Sequence, residues 1–212
     1  AKDITMDILS YLANINLNDD SYNILSEAVE EVANAHDPCI GRVLTYLNEL
    51  YDRRPENMTN SRYEALERLR GTLETLKRNQ LSMLLFGEVG QNFKVLEQDK
   101  PIQVLMIQNL NLPSSSEKRN ARTIHKISEA IMISITAWTK QYMFKGERGI
   151  HKFILQDEAS AIERSPIGAE LMDFIVRMGR FYNTTLMKGS QNASDHGNDV
   201  ANMGMKFSFG MR

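Results

Sequence analysis

The sequence predicts an α/β fold: a mostly parallel sheet with flanking helices, preceded by an all-α helical bundle. Three observations carry this. Over residues 20–79 the apolar residues recur at steps of three and four, the period of helices packed by one face. Beyond residue 100, short apolar runs of strand length alternate with helix-length periodic stretches, the order of βαβ units. The formal charge changes sign as the pattern changes: residues 1–80 hold 9 Lys/Arg against 14 Asp/Glu, a net −5, and the rest hold 16 against 13, a net +3. The boundary is therefore set between residues 82 and 83.

The first half reads as three helices. Ile24, Leu25, Ala28, Val29, Val32 and Ala33 form one apolar stripe, with Asp20 and Ser21 ahead of it as candidate N-caps. Ile40, Val43, Leu44, Leu47 and Leu50 repeat the pattern. A third helix spans residues 60–79, with Tyr63, Leu66, Leu69, Leu73 and Leu76 on one side and charged residues on the other. Pro55, Asn57 and Asn60 break the chain before it.

In the second half, residues 101–108 (Pro-Ile-Gln-Val-Leu-Met-Ile-Gln) form an apolar run of strand length. A long helix is expected over residues 118–142, with Ile124, Ile127, Ile131, Ile135, Trp138 and Tyr142 on one face. Residues 152–156 form the next strand and end on Asp157-Glu158. Ser165 caps a helix that has Pro166 at its first position, and Ile167, Leu171, Phe174, Ile175 and Met178 face inward. Residues 184–188 read as a third strand and 206–210 as a fourth. Parallel neighbours of this kind need right-handed helical crossovers.

Composition narrows the function classes. With 42% hydrophobic and 25% charged residues, the chain is neither disordered nor fibrous. A net charge of −2 argues against coating nucleic acid by bulk charge. The single cysteine, Cys39, cannot form an internal disulfide. No apolar run reaches the ~18 residues that a membrane-spanning helix needs.

Chemistry is sought beyond the carboxyl ends of parallel strands. Asp157-Glu158 lies at such an end, in the Walker B pattern of nucleoside triphosphatases. There an Asp holds Mg²⁺ through water, and the following Glu orients and deprotonates the water that attacks the γ-phosphate. Taken alone, the same dipeptide could be an acidic strand end capping a turn. Downstream, Arg177 and Arg180 stand three residues apart, as on one helix face, and could stabilise charge on a phosphoryl group across a subunit interface. Gln191, after the strand 184–188, can donate its amide to a phosphate oxygen and accept from the attacking water. His151 and Lys152, with Arg119 and Arg122, could form a basic patch for DNA. The four histidines, His36, His125, His151 and His196, show no paired metal-ligand spacing.

Three runs carry a family resemblance: 153–159 (Phe-Ile-Leu-Gln-Asp-Glu-Ala), 177–183 (Arg-Met-Gly-Arg-Phe-Tyr-Asn) and 189–195 (Gly-Ser-Gln-Asn-Ala-Ser-Asp). In this order they resemble the C-terminal half of the conjugation and type IV secretion ATPases, with the specific match over about residues 150–196. In that family the runs read approximately as apolar-Asp-Glu-Ala, Leu-Arg-x-x-Arg-Lys-x-Asn and Ala-Thr-Gln-Ser-x-Ser-Asp. Phe181 and Ser190 depart from it, standing where Lys and Thr are usual. The resemblance implies a RecA-like core, with residues 1–82 as the family's all-α insertion and 83–212 as part of the core. It implies ATP and Mg²⁺, and hexamers with nucleotide between subunits. It also implies a place at the cytoplasmic face of a secretion channel, with channel components and DNA as candidate partners. Residue by residue, it implies Asp157 on the Mg²⁺ side, Glu158 as base, Gln191 as sensor, and Arg177 or Arg180 acting in trans. Arg212 is a weaker arginine candidate.

The P-loop pattern Gly-x-x-x-x-Gly-Lys-Ser/Thr is missing from the 212 residues. Residues 86–90 and 145–149 have glycines without it. The expectation is a piece of a larger motor, cut inside a sheet at the apolar run 205–211, with negligible ATPase activity of its own. The competing expectations are another RecA/AAA-type DNA translocase, or a non-catalytic interaction module in which Asp157-Glu158 is a structural turn.

Overall fold

The computed structural model of the chain describes residues 2–87, 90, 102–106, 110–112, 122–145, 149–157, 166–189 and 203–207. It divides into two compact units. One comprises residues 1–111 and 121–134, the other 112–120 and 135–212.

The first unit is helical: α1 (Lys2–Ala13), α2 (Asp20–Ala33), α3 (Ile40–Arg53) and α4 (Asn60–Lys77), then a 3₁₀ turn (Gln80–Ser82) and α5 (Met83–Phe86). α2 packs against α1, α3 and α4. Its buried set is Ile24, Leu25, Ala28, Val29 and Val32, the stripe that the spacing predicts. α4 buries Ala65, Leu66, Leu69, Leu73 and Leu76. Each fully buried leucine contributes roughly 1.5–3 kcal/mol relative to exposure. The third predicted helix ends at Lys77 rather than at residue 79, and Thr59 caps it, its side chain accepting from the Arg62 amide at 3.3 Å. The N-cap of α2 is Asp19 rather than Asp20 or Ser21.

α1, which the helix pattern over 20–79 does not announce, buries Ile8, Leu9 and Leu12. It ends at Asn14, whose positive φ of 53° suits a side chain that tolerates the left-handed region. The chain leaving α5 crosses the first turn of α3 so closely that a Cβ on Gly41 would lie 2.3 Å from the Gly87 carbonyl oxygen. Glycine is required at 41 for that approach.

Residues 123–134 of α6 (Thr123–Phe144) also belong to this unit. Ile127, Ala130, Ile131 and Met132 are buried, and so are the polar His125, Ser128 and Glu129. Tyr11 of α1 donates its hydroxyl to the Glu129 carboxylate, and Lys126 Nζ reaches Asn14 Oδ1 at 2.8 Å. Burial first, then the bond to Glu129, raises the Tyr11 phenol well above the usual tyrosine range.

Along α3, its capping residue Arg54 and α4, four flat groups stack in series. The Arg54 guanidinium lies 4.3 Å from the Tyr63 ring centre, Tyr63 stacks on Tyr51 at 4.8 Å, and Arg70 lies 4.2 Å from the Tyr51 ring centre. The Tyr51 phenol is pushed up to about 12, by its hydrogen bond with Tyr63, by burial and by the Glu67 carboxylate. Raised phenols hold their protons more tightly in the folded chain. Their contribution to stability is therefore complete below the unfolded value near 10 and is lost as pH rises through the folded value. The melting temperature is expected to fall between pH 10 and about 12, and Tyr51→Phe should flatten that fall. A phenolate absorbance titration that puts Tyr51 with the ordinary tyrosines would contradict this.

In the second unit, residues 135–144 of α6 precede β1 (Lys152–Gln156), α7 (Pro166–Met178) and β2 (Thr184–Lys188). β1 and β2 pair in parallel, from Lys152↔Thr184 to Gln156↔Lys188. This is the predicted β–α–β order, with Pro166 opening the crossover helix. Met143, Leu171, Met172 and Ile175 form the buried core, and Ile154, Phe174, Met178, Tyr182 and Leu186 pack against it. Phe153, Leu155 and Met187 point away from this core and are exposed.

One expected strand is corrected, and a second lies mostly outside the described residues. Ile102–Met106 join no sheet among the described residues, and Ile102, Val104 and Met106 are about four-fifths exposed. Lys206 and Phe207 are likewise outside any strand, and 208–210 lie outside the described residues. A strand is fixed by the neighbour it pairs with, and an apolar run cannot supply that neighbour. The predicted helix 118–142 is α6, running to Phe144; its expected start at 118–121 lies outside the described residues.

Candidate functional site

The site is built at the carboxyl ends of β1 and β2. Pairing continues one residue past the strands, the Gly189 amide donating to the Gln156 carbonyl at 2.9 Å. Asp157 follows β1 directly and is exposed. A Cβ placed on Gly189 would stand 3.5 Å from Asp157 Oδ1. A side chain at 189 would thus be in contact with that carboxylate. Asp157 and the chain leading into Ser190-Gln191 are therefore brought side by side. Glu158 and Gln191 themselves lie outside the described residues, as do Arg212, Arg119 and His196.

At the opposite, amino end of β2, the turn from α7 is held by Gly179. Gly179 is buried, donates to the Ile175 carbonyl at 2.8 Å and accepts from the Thr184 amide at 2.8 Å. A Cβ there would come within 2.7 Å of both the Ile175 and the Thr184 carbonyl oxygens. Asn183 takes a positive φ of 52°, again a position that asparagine fills at small cost.

The two arginines do not share a helix face. α7 ends at Met178, so Arg177 is on its last turn and Arg180 is in the turn beyond. The Gly179 contacts stop the helix between them. Arg177 Nε donates to Asp173 Oδ1 at 2.8 Å, an exposed i,i+4 pair worth at most a few tenths of a kcal/mol. Arg180 is exposed. Phe181, the departure from the expected Lys, is exposed and makes an edge contact with Tyr182.

The expected basic patch at the entry of β1 is also corrected. Lys152 is only 8% exposed, and its ammonium donates to the carbonyls of Met143 at 3.0 Å and Tyr182 at 3.5 Å. It is turned into the fold and cannot meet a phosphate backbone. His151 is exposed, with ring nitrogens 2.8 Å from Asn183 Oδ1 and 2.9 Å from Thr185 Oγ1, so it bridges the two strands. No local pattern announces this burial, since α6 ends at Phe144 and residues 145–151 separate it from β1.

A hard cation suits an exposed carboxylate at a strand end. Mg²⁺ takes carboxylate oxygens and keeps much of its water, and Asp157 is exposed directly after β1. Open α/β sheets bind ligands beyond the carboxyl ends of their strands, which is where Asp157 stands. The chain belongs to the AAA-like domain family, whose model matches residues 1–212. This is an ATPase-like family whose members generally use ATP and Mg²⁺. No curated protein and no solved structure matches the chain. Among the described residues no helix is long and apolar enough to cross a membrane.

Proposed function

We propose that the chain is part of an ATP-hydrolysing motor that energises DNA or protein transfer through a type IV secretion channel. The carrying observation is the placement of Asp157 beside Gly189, which leads into Ser190-Gln191. The AAA-like family supports the ATPase part of the reading. The three runs that resemble conjugation ATPases support the finer part.

In this reading Asp157 holds the water shell of Mg²⁺, and Glu158 takes the proton of the attacking water. Gln191 senses the γ-phosphate, and Arg177 or Arg180 acts across the interface of a homo-oligomer, a hexamer. Residues 1–82 are the helical insertion and 83–212 the core part. The motor works in the cytoplasm, at the inner face of a membrane channel, with DNA as a candidate cargo.

Phosphoryl transfer depends almost wholly on positioning and charge stabilisation, and a P-loop supplies most of the phosphate cradle. Residues 1–212 contain none. The 212-residue chain is therefore expected to show negligible turnover, and a polypeptide that adds a P-loop to be Mg²⁺-dependent. Phosphate release by the purified chain is the test. Sustained Mg²⁺-dependent turnover by these 212 residues, abolished by Glu158→Gln, would overturn the account.

A further inference from the structure

β1 reads Lys-Phe-Ile-Leu-Gln, so its three central residues are all apolar. Ile154 faces the core, while Phe153 and Leu155 face away and are exposed. A one-residue slip against β2 would exchange these faces. In most half-buried strands such a slip is costly, because it drives polar side chains inward. Here it would drive in Phe153 and Leu155, so the hydrophobic pattern discriminates poorly between registers.

The polar groups at the start of the strand discriminate well. Lys152 is the strand's one cation and is buried. Its ammonium satisfies the Met143 carbonyl, in the last turn of α6, where carbonyls have no partner within the helix. The same ammonium reaches the Tyr182 carbonyl in the turn before β2, and the Lys152 amide donates to the Asn183 carbonyl at 2.9 Å. A positive charge is also favoured at a helix C-terminus. One residue thus joins three segments, and every one of these contacts is lost on a slip.

We infer that Lys152 is a positioning residue whose buried ammonium selects the register of β1 on β2, and so sets Asp157 beside Gly189 at the far end. The inference about register needs no nucleotide. Its bearing on the reaction rests on the function proposed above.

The test is Lys152→Met. The substitution keeps most of the side chain's length but leaves the Met143 and Tyr182 carbonyls without their donor. The expected result is a protein that melts lower but keeps its fold. The Gly189 amide should nevertheless exchange about tenfold faster or more, and the amides of Phe153–Gln156 should show a second set of resonances. Wild-type exchange at Gly189 with a single set of resonances would overturn the inference, whatever happens near Met143. If the variant does not fold, native-state exchange of the wild type decides. One common opening event for the Lys152 and Gly189 amides supports the anchor, and independent opening overturns it. A Mg²⁺ titration read at the Asp157 carboxyl carbon keeps the two ideas apart. No response in the wild type counts against the metal role alone, while the Gly189 amide still reports on register.

Discussion

Gly179→Ala is expected to destabilise the α/β unit by about 2–3 kcal/mol, the usual cost of forcing a carbon into filled space. The new Cβ would meet two carbonyl oxygens at 2.7 Å, one from Ile175 and one from Thr184. Both are backbone atoms, so neither can swing aside as the end of a flexible side chain would. Relief requires the last turn of α7 to move away from the start of β2, which breaks the Thr184 amide bond to the Gly179 carbonyl. In melting temperature this amounts to a fall of roughly 4–12 °C for a chain of this size. Gly71→Ala is the control, with the opposite sign. Gly71 is in the interior of α4, and its added Cβ would meet nothing within 4 Å. Alanine is the better helix former by about 0.8–1 kcal/mol, so that variant should melt higher. If the two variants melted alike, the close approach at Gly179 would not be holding the turn.

These residues also show which parts of the molecule could be read from sequence. Helices α2, α3 and α4 were legible because each buries one stripe against neighbours near in the chain, and a stripe is a one-dimensional signal. β1, α7 and β2 were legible for a related reason, since Pro166 and the strand-length runs punctuate the chain. Ile102–Met106 shows the limit. The apolar run there has strand length, yet pairing depends on a partner remote in sequence. Lys152 shows a different limit. A lysine beside a histidine reads as surface charge, and only the three-dimensional position of the α6 C-terminus reveals that carbonyls await it. At the site, the position of Asp157 at a strand end was legible. The shared face of Arg177 and Arg180 was not, because Gly179 ends the helix through a contact with Thr184 that no local pattern encodes.

The largest functional effects are expected in a polypeptide that supplies a P-loop ahead of these residues. Glu158→Gln should lower turnover by about 10²–10⁴, the usual contribution of a positioned general base. It should leave Mg²⁺-nucleotide binding nearly intact, because the amide keeps the shape and removes only the proton acceptor. Asp157→Asn should act differently, raising the Mg²⁺ concentration needed for half-maximal rate, since a neutral oxygen holds the hydrated ion less well. The arginines then separate. Arg177 is already engaged by Asp173 on its own helix, whereas Arg180 is exposed in the turn beyond Met178. Arg180→Ala should therefore cost more, about 10³-fold or greater if it stabilises charge on the transferring group in trans, and Arg177→Ala less. Mixing decides whether the arginine works across subunits. Protomers with Glu158→Gln retain the arginine and lack the base, and protomers with Arg180→Ala retain the base and lack the arginine. Mixed rings then contain interfaces with both groups intact, and activity should reappear on mixing two inactive preparations. Rings that stay inactive, measured under conditions where the two preparations exchange subunits, would place Arg180 outside the trans role and leave its loss to be explained within one protomer.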